Sequence, residues 1–418
     1  MPPGEIENNL LLPLLSVIIP TKNGHSTILF AIDSVLEIQS ANIEVVIQDC
    51  SSDNSLYGII KVKYKDDPRL KYFYSDDEPS MIENWSRAIS NSSGKYLYGI
   101  GDDDAVLPEI VEVAKWIDEN SINTLVSLKA QYIWKDAYLG TFGNGRLSLP
   151  ANFTGNFYSI DLNYEYIRKI NNCGFGYNNF LPNIYHGFVA RKIFELHKKS
   201  TNFYLNGTSM DVYSAFVIPN YTDKLYYLDY PLSIFGASGK SNSNRFITNK
   251  SAVHFKEFKN YTRFNNLPNT FNAEVSITET TIQALLDLNK FDLIKTIKLS
   301  LLYSKCAVFE PKKLLSFYCD FKLNKNSSES NFDYFYYFSK FAVSSIKYRI
   351  LNSFVKLSSS ILPKYLPVIE SLVQIKKPHC DDISLSLKYI KKYQFDQNLS
   401  IQFDKKIEFL KTPKEIWE

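Results

Sequence analysis

The first hundred residues alternate short apolar runs with segments of helical spacing, and this alternation constrains the fold more than any other feature. Residues 14–20 (LLSVIIP) and 43–47 (IEVVI) have the composition of buried strands. Between them, residues 26–38 carry an apolar face at helical spacing, with Ser26 or Thr27 as the N-cap. Strands and helices that alternate in this way form a mostly parallel sheet covered by helices.

The alternation continues to residue 100 and brings three polar strand ends together. The further predicted elements are helix 56–64, strand 70–74, helix 80–90 and strand 96–100. The polar segments 20–23, 49–53 and 102–104 follow the first, second and fourth predicted strands. Sites in parallel sheets form at the carboxyl ends of the strands. We therefore expect these three segments to meet at one edge of the sheet and to form the functional site.

Three consecutive aspartates, Asp102, Asp103 and Asp104, end the fourth apolar run in the sequence KYLYGIGDDDAVLP. Adjacent carboxylates repel one another, so one of them is pushed toward the protonated form unless a counterion is present. A divalent metal with oxygen ligands is a suitable counterion. The alternative is a solvated turn or a helix N-cap, because Asp104 precedes a helix-like segment with Pro108 near its start. The cluster alone leaves both interpretations open.

The length and the cysteine content limit the class of protein. A chain of 418 residues is too long for one ordinary core, so we expect two or three domains. Its five cysteines form no CxxC pair, which indicates neither a disulfide framework nor a zinc site and favours a reducing compartment. The apolar run 10–20 is interrupted by Pro13 and follows an acidic N-terminus, so we expect neither a signal peptide nor a membrane span.

The two halves of the chain differ in charge and in periodicity. Residues 1–250 carry 22 Lys and Arg against 27 Asp and Glu, and residues 251–418 carry 25 against 17. An acidic front suits a metal or nucleotide site, and a basic rear is either a solvated face or a contact for an anionic surface. From about residue 250 the spacing predicts helices, beginning with 272–298, and no strand of note.

Residues 334–369 contain no acid, and basic residues interrupt their aromatic and aliphatic background. These basic residues are Lys340, Lys347, Arg349, Lys356 and Lys364. One interpretation is peripheral contact with an anionic membrane surface. The other is a helix that packs inward within an accessory domain. We favour the packed helix, because at helical spacing Lys340 and Lys347 project opposite Arg349 and Lys356.

Three ordered motifs in the first half of the chain, SVIIPTKNG, EVVIQDCSSDNS and GKYLYGIGDDDAVLP, resemble those of the inverting family 2 glycosyltransferases, which have the GT-A fold. The resemblance covers roughly the first 240 residues. It implies an α/β fold, with a GT-A glycosyltransferase domain and its Rossmann-like mixed sheet over residues 1–245. A mainly α-helical accessory domain is then expected over residues 246–418.

The resemblance also implies a role for each strand end. The nucleotide of a sugar donor is expected to contact Pro20, Thr21, Asn23, Asp49 and Ser51. Among these, Asp49 would accept a hydrogen bond from the base, which we expect to be uracil. Asp102 and Asp104 would hold Mg²⁺ or Mn²⁺ against the donor diphosphate, and Asp103 would face the ribose.

The reaction of this family requires a base, because the acceptor hydroxyl is a weak nucleophile at neutral pH. In the family this carboxylate lies downstream of the metal motif, at the start of a helix beside the sheet. Asp211 in NGTSMDVYSAFVI fits that position, since a polar loop precedes it and helical spacing follows it. The alternative is that Asp211 only stabilises the positive end of a helix dipole.

Two segments without clear periodicity are candidates for substrate contact. Residues 131–185 are rich in Tyr, Phe, Asn and Gly, and we interpret them as an aromatic acceptor wall or as ordinary loop packing. Residues 231–246 (PLSIFGASGKSNSNRF) read as a flexible basic loop in which Lys240 and Arg245 would neutralise the donor diphosphate. The alternative for that loop is an interdomain linker. His186 is expected to be a core or orienting histidine.

The sequence therefore predicts a metal-dependent inverting glycosyltransferase that moves a sugar from a nucleotide diphosphate, expected to be UDP, to a hydroxyl group. The resemblance implies a glycan or a lipid-linked acceptor in surface polysaccharide biosynthesis. It also implies a cytoplasmic location, with the inner face of the plasma membrane as the site of any membrane contact. No nucleic-acid partner is expected.

Two other functions fit parts of the pattern. A haloacid-dehalogenase-type phosphatase also places an Asp-x-Asp motif after an apolar strand. That class needs a later acidic pair, for which Asp381 and Asp382 are the one late candidate. The other alternative is a non-catalytic protein that keeps the fold as a partner in an assembly complex. The intact set of acids described above argues against that alternative.

Overall fold

An eleven-stranded mixed sheet organises the part of the chain that the computed structural model describes, which is residues 12–65, 67–137, 145–150, 153–178, 180–241, 264–270, 272–361 and 380–410. Its strands are β1 (Leu15–Thr21), β2 (Ile43–Asp49), β3 (Leu70–Tyr74), β4 (Tyr96–Gly99), β5 (Ala105–Val106), β6 (Thr124–Ile133), β7 (Arg146–Ser148), β8 (Phe157–Asp161), β9 (Gly187–Ala190), β10 (Lys224–Ala237) and β11 (Glu408–Leu410). The strand order is β11-β8-β10-β6-β9-β4-β1-β2-β3, with β5 paired to β10 and β7 paired to β6.

The first four strands run parallel, as the alternation predicts. The helices that connect them are α1 (Ile28–Leu36), α2 (Ser55–Lys63) and α3 (Met81–Asn91). A capping box begins α3: the Ser80 hydroxyl accepts a hydrogen bond from the Glu83 N–H at 3.3 Å, and the Glu83 carboxylate accepts one from the Ser80 N–H at 2.7 Å. Strand pairing aligns Thr21 with Asp49, so the ends of β1 and β2 lie side by side. The predicted α/β fold class is confirmed.

Alternate residues of the parallel strands enter two hydrophobic cores, one on each face of the sheet. On β1, Ile18 belongs to the core that includes side chains of α3, whereas Val17 and Ile19 belong to the core that includes those of α1 and α2. The helix α4 (Ile110–Glu119) contributes to the second core. Every residue of β1 and β2 is buried, as expected for strands that are covered on both faces.

The other half of the sheet contains strands that the sequence does not predict. β9 runs antiparallel between β4 and β6, and β10 runs parallel to β6. Because β10 continues to Ala237, residues 231–237 are strand, and the loop expected from residue 231 begins at Ser238. Within residues 131–185, part of the expected irregular segment is regular: it contains β7, β8 and the helix α5 (Leu162–Asn171).

A helical region follows the sheet strands and shares their core. The helices that follow α5 as far as residue 361 are α6 (Arg191–Thr201), α7 (Met210–Val217), α8 (Ala273–Asp287), α9 (Phe291–Ile294), α10 (Leu299–Phe309), α11 (Leu314–Asn324) and α12 (Asn331–Ile361). Val275 and Leu285 of α8 pack in the same hydrophobic core as Phe216 of α7. The Thr208 hydroxyl lies 2.8 Å from the hydroxyls of both Ser276 and Thr280. The helical region is therefore packed against the sheet half through apolar and polar contacts.

Residues 380–410 return to the sheet, which differs from the predicted division into residues 1–245 and 246–418. The helix α13 (Ile383–Asp396) contributes Ile383 and Ile390 to a core that also contains Tyr132 of β6. The Tyr132 hydroxyl donates to the Cys380 carbonyl at 3.0 Å, and β11 pairs with β8. The C-terminal described segment thus belongs to the sheet half, because its apolar side chains and its backbone are both paired there. The predicted boundary itself lies outside the described residues.

The helix α12 is anchored by one side and exposes the other. Tyr334 is fully buried against Phe321 of α11. The outward side carries Phe332, Phe335, Tyr336, Lys340, Val343, Ile346 and Lys347, all of which are exposed. Within the described ranges, no helix combines the length and the apolar character that crossing a bilayer requires.

Candidate active site

The carboxyl ends of β1 and β4 open into a cavity of about 1010 Å³. Its walls come from the tip of β1, the aspartate loop after β4, the strand β6, the loop after β10, and the first turns of α7 and α8. The charged side chains that line it are Lys22, Asp102, Asp103, Lys129, Asp136, Asp211 and Lys240. The volume is that of a site for a cofactor-sized ligand.

Asp102 is more exposed to solvent than Asp103, the other aspartate of this loop that faces the cavity. Its Oδ2 accepts a hydrogen bond from the Thr21 hydroxyl at 2.5 Å, which joins the aspartate loop to the tip of β1. Burial raises the pKa of Asp102 to about 6 against the effect of the Thr21 hydrogen bond, and the charge of Asp104 adds to the rise. Pro20 and Asn23 line the same wall. The tip of β1 is therefore beside the aspartates, and its contact with a nucleotide stays a prediction.

Asp103 lines the cavity next to Asp102 with 6% of its surface exposed. Its Oδ2 accepts a hydrogen bond from the Ser238 N–H at 2.9 Å, and its carbonyl accepts one from the Trp134 indole N–H at 2.9 Å. Burial, and then the charges of Asp104 and Asp102, raise the pKa of Asp103 well above its usual value. Positive charge at the cavity end of this cluster would stabilise the ionised carboxylates.

Asp104 is fully buried and does not line the cavity. Its Oδ1 accepts the Gly236 N–H at 2.6 Å, and its Oδ2 accepts the Gly101 N–H at 2.6 Å and the Tyr185 hydroxyl at 2.8 Å. His186 Nε2 lies 3.1 Å from the same Oδ2. Burial acts to raise the pKa of Asp104, but His186 and the backbone donors hold it below its usual value. Both oxygens of Asp104 thus already accept hydrogen bonds away from the cavity, and its predicted contact with a metal stays a prediction.

His186 has the orienting role that the sequence predicts. Its Nδ1 lies 2.8 Å from the Ser233 hydroxyl, which also accepts a hydrogen bond from the Tyr98 hydroxyl at 3.1 Å. Its Nε2 is turned toward Asp104. Burial lowers the pKa of His186, and its contacts with Ser233 and Asp104 make the imidazole a buried link to β10 that does not line the cavity.

Asp49 is fully buried at the end of β2 and does not line the cavity. Its Oδ1 accepts hydrogen bonds from the Ser51 N–H at 2.8 Å and the Ser51 hydroxyl at 2.5 Å, and its Oδ2 accepts one from the Tyr72 hydroxyl at 2.7 Å. The Ser51 hydroxyl in turn accepts the Asn23 N–H at 2.7 Å. Hydrogen bonds of Asp49 and Ser51 thus connect the tips of β1 and β2. A bond from Asp49 to a nucleotide base stays a prediction, and it would require one of these contacts to be exchanged.

Asp211 lies in the first turn of α7, with its side chain on the cavity wall, as the sequence predicts. The Tyr177 hydroxyl donates to its Oδ2, and the Ser209 hydroxyl donates to its Oδ1 at 3.0 Å. These two donors orient the carboxylate without removing it from the cavity. Asp211 is therefore available to a substrate at the end of the cavity formed by α7 and α8.

Lys240 joins the loop after β10 to the tip of β1. Its ammonium donates to the Asn23 carbonyl at 2.8 Å, and its charge acts on Asp102. A cation at this position is suited to the donor diphosphate that the sequence predicts for it. Arg245, which has the same predicted role, lies outside the described residues.

Several cavity residues were not predicted from the sequence. Lys129 and Gln131 reach the cavity from β6, and Ala273 and Ser276 reach it from α8. The segment TLVSLKAQYI offered a signal for the first two, because polar residues recur at every second position of an otherwise apolar strand. The α8 residues carry no comparable signal, since small residues at a helix start are common.

The donor set of the aspartate loop fits a hard divalent cation. Asp102 and Asp103 present carboxylate oxygens to the cavity, and burial together with the charge of Asp104 raises the pKa of both. Among the residues that the structure describes, no group of three or more His, Cys, Asp and Glu side chains is arranged to hold an ion by itself. Mg²⁺ sites of the phosphate-binding kind need only one or two carboxylates, because substrate phosphates and water complete the shell.

The acidic pair required by the phosphatase alternative is not at this site. Asp381 forms an ion pair with Lys135 at 2.6 Å, and Asp382 caps α13 by accepting the Leu385 N–H at 2.8 Å. Neither aspartate lines the cavity. The structure therefore brings together the strand-end acids and Asp211, and leaves this late pair apart.

Comparison with known proteins shows similarity in the first part of the chain. Residues 16–143 match the family model described as glycosyl transferase family 2. A β-1,3-glucosyltransferase of Campylobacter jejuni that acts on GalNAc(5)-diNAcBac-PP-undecaprenol is 26% identical over 147 residues, which are 35% of this chain and 42% of that protein. An uncharacterized glycosyltransferase of Rickettsia bellii is 36% identical over 101 residues, which are 24% of this chain and 14% of that protein.

The chain spans less than half of the length of both of these relatives. Among solved structures, residues 1–349 of S. aureus TarS in complex with UDP-GlcNAc align with 79% of this chain and 92% of that chain, at 15% identity and a TM-score of 0.45.

We predict that Gly236→Ala destabilises the protein, because a Cβ at this position would lie 1.7 Å from the Asp103 carbonyl oxygen. The shift needed to relieve this overlap also weakens the Gly236 N–H bond to Asp104. We expect the free energy of unfolding, measured by urea denaturation, to fall by about 1–3 kcal/mol. The matched control is Gly58→Ala in α2, where a Cβ meets no atom within 4 Å. That control should raise stability by about 0.5–1 kcal/mol, and equal values for both variants would contradict the close approach at Gly236.

Proposed function

We propose that this chain is a metal-dependent inverting glycosyltransferase, because residues 16–143 match the model of glycosyl transferase family 2. The donor is a nucleotide diphosphate sugar, with UDP as the carrier, and the acceptor is a hydroxyl of a glycan or of a lipid-linked saccharide. The observation that carries this proposal is one cavity with Asp102 and Asp103 at the strand ends and Asp211 at the start of α7. The two ends supply the two kinds of group that sugar transfer requires.

The strand-end part of the cavity is suited to the donor diphosphate. Lys240 and the tip of β1 offer positive charge and hydrogen-bond donors there. Asp102 and Asp103 would hold the divalent cation, which when bound stabilises the negative charge on the departing diphosphate as a Lewis acid. Asp104 is assigned a positioning role, because its four contacts fix the loop that carries the other two aspartates.

Asp211 is proposed to be the general base. It removes the proton from the acceptor hydroxyl as the oxygen attacks the anomeric carbon, and the bond from that carbon to the phosphate oxygen breaks with its electron pair on the diphosphate. Tyr177 and Ser209 orient the carboxylate for this transfer. Attack from the face opposite the leaving group inverts the anomeric configuration.

The acceptor class is proposed from the relatives and from the shape of the site. The C. jejuni relative is named for an undecaprenol diphosphate-linked saccharide acceptor. We extend this to a glycan or lipid-linked acceptor in surface polysaccharide biosynthesis. Cavity residues from α8 would form part of the wall on the acceptor side.

Peripheral membrane contact through α12 is proposed together with a lipid-linked acceptor. The exposed side of this helix combines apolar side chains, including Phe332 and Val343, with Lys340 and Lys347. No acid occurs in residues 334–369, so this surface is complementary to an anionic lipid headgroup layer. The membrane face concerned would be the cytoplasmic one.

We predict metal-dependent release of UDP from at least one UDP-sugar. Asp102→Asn keeps the shape of the side chain and removes its charge, so the Mn²⁺ concentration for half-maximal release should rise about tenfold or more. Asp53→Asn replaces an acid that lies outside the cavity and should behave as the wild type. Absence of UDP release from a panel of UDP-sugars with Mn²⁺ would contradict the proposed function, and phosphate release from p-nitrophenyl phosphate would favour the phosphatase.

We predict that Asp211→Asn leaves the binding of UDP-sugar unchanged and lowers the rate of donor turnover about 10²-fold or more, because the base is lost while the donor end is intact. Binding is measured by calorimetry, and turnover is measured as hydrolysis to water or as transfer. Asp136→Asn, which alters another aspartate of the same cavity, should stay within about twofold of the wild type. Full turnover by Asp211→Asn would remove this residue from the mechanism.

We predict that the protein floats with vesicles of phosphatidylcholine and phosphatidylglycerol, and not with phosphatidylcholine alone. Replacing Lys340 and Lys347 together by Ala should weaken binding about tenfold or more, since each basic residue near such a surface contributes about 1 kcal/mol. The control replaces Lys198 and Lys199, which are exposed on α6. Equal flotation of both double variants would leave α12 as an ordinary packed helix.

A further inference from the structure

Lys129 is a half-buried cation on the cavity wall whose donors are not used by the protein. It lies on β6 opposite Ser233 of β10. Among the residues that the structure describes, its ammonium group forms no hydrogen bond and no ion pair. The charges of Asp211 and Asp104 act on it, but the oxygens of both carboxylates accept hydrogen bonds from other donors.

The other lysines that line the cavity have a hydrogen-bond partner or solvent at their ammonium groups. Lys240 donates to the Asn23 carbonyl, and Lys22 is exposed to solvent at the tip of β1. An ammonium group has three donors and no acceptor, and a partly desolvated one is costly unless an anion pairs with it. Lys129 therefore differs from the other two in needing a partner that the described part of the protein does not supply.

Two neutral polar side chains extend the same wall. Gln131 is two residues along β6 from Lys129, so the two side chains leave the same face of the strand. Asn178 lines the cavity from the segment that also carries Tyr177, the hydrogen-bond donor to Asp211. Within the described chain, neither Gln131 nor Asn178 uses its side-chain amide in a hydrogen bond. The wall beside the proposed base thus presents one cation and two amides to the cavity.

We propose that Lys129, with Gln131 and Asn178, forms a subsite for a carboxylate or phosphate group carried by one of the two reacting sugars. This inference rests on the proposed function and names a substrate class for it, namely an anionic sugar. The anion belongs either to the donor sugar, as in a uronic acid, or to the acceptor, as in a sugar phosphate. A charge-assisted hydrogen bond to the Lys129 ammonium would discriminate such a sugar from its neutral analogue.

The test compares anionic and neutral probes on the full chain by calorimetry with Mn²⁺. For the donor source, the probes are UDP-glucuronate and UDP-glucose. For the acceptor source, glucose 6-phosphate, methyl glucuronide and methyl glucoside are titrated with and without saturating UDP. We expect the wild type to prefer the anionic probe about tenfold in one of these two arms.

Lys129→Met keeps the length of the side chain without the charge and should abolish that preference, whereas Lys129→Arg should retain most of it. Lys199→Met, which removes a lysine that is exposed on α6 and does not line the cavity, is the control and should leave the preference intact. UDP alone should bind all variants equally, which separates this subsite from the donor end.

Equal binding of anionic and neutral probes in both arms, or an unchanged preference in Lys129→Met, would overturn the subsite. Loss of UDP binding with a retained anion preference would instead overturn the proposed function and leave the subsite standing.

Discussion

The burial of the Asp104 carboxylate is the constraint on which the rest of the site depends. A buried anion is stable only when its oxygens are supplied with donors, and Asp104 has four such contacts, which come from three parts of the chain. The donors come from its own loop, from the two residues before β9, and from β10. One carboxylate thereby ties together strands that are remote in sequence. Because Asp104 is held inward, Asp102 and Asp103 are left at the cavity wall with their charges crowded.

Sequence reasoning located the site but could not divide the roles among the three aspartates. Strand ends of a parallel sheet are local features, so Thr21, Asn23 and the aspartate cluster were found from apolar runs and the turns that follow them. The difference between Asp102 and Asp104 depends on Gly236, which is 132 residues away from Asp104 in the chain. Three adjacent identical side chains carry no signal for such partners. The same limit applies to Asp49. Its place at the end of a strand was evident from the sequence, but the hydrogen bond that it accepts from the Tyr72 hydroxyl was not.

The fold was predictable where strand, helix and turn follow one another and was not predictable where pairing is remote. Short helical connections join β1 to β4 in order, and the periodicity of the sequence indicates both the strands and these connections. β9 and β10 are inserted beside strands that precede them by many residues, and Pro231 and Gly236 interrupt the apolar pattern at the end of β10. The strand conformation of β9 depends on partners in β4 and β6, and that of β10 on partners in β5, β6 and β8. The three-residue strand β11 is an extreme case, because only its pairing with β8 defines it.

In the proposed reaction the cavity has a donor end and an acceptor end, and different elements of the fold form the two ends. The donor end is built from β1, β4 and the loop after β10, and its backbone is locked by the Asp104 contacts and by the close approach of Gly236. The other end is built from β6, the first turn of α7 and the first turn of α8, which belongs to the helical region. Thr208, Ser276 and Thr280 join α8 to that end through hydroxyl groups on the surfaces of packed elements. A substitution in α8 or on the exposed face of β6 would therefore reshape the proposed acceptor end without disturbing the buried Asp104 carboxylate that orders the proposed donor end.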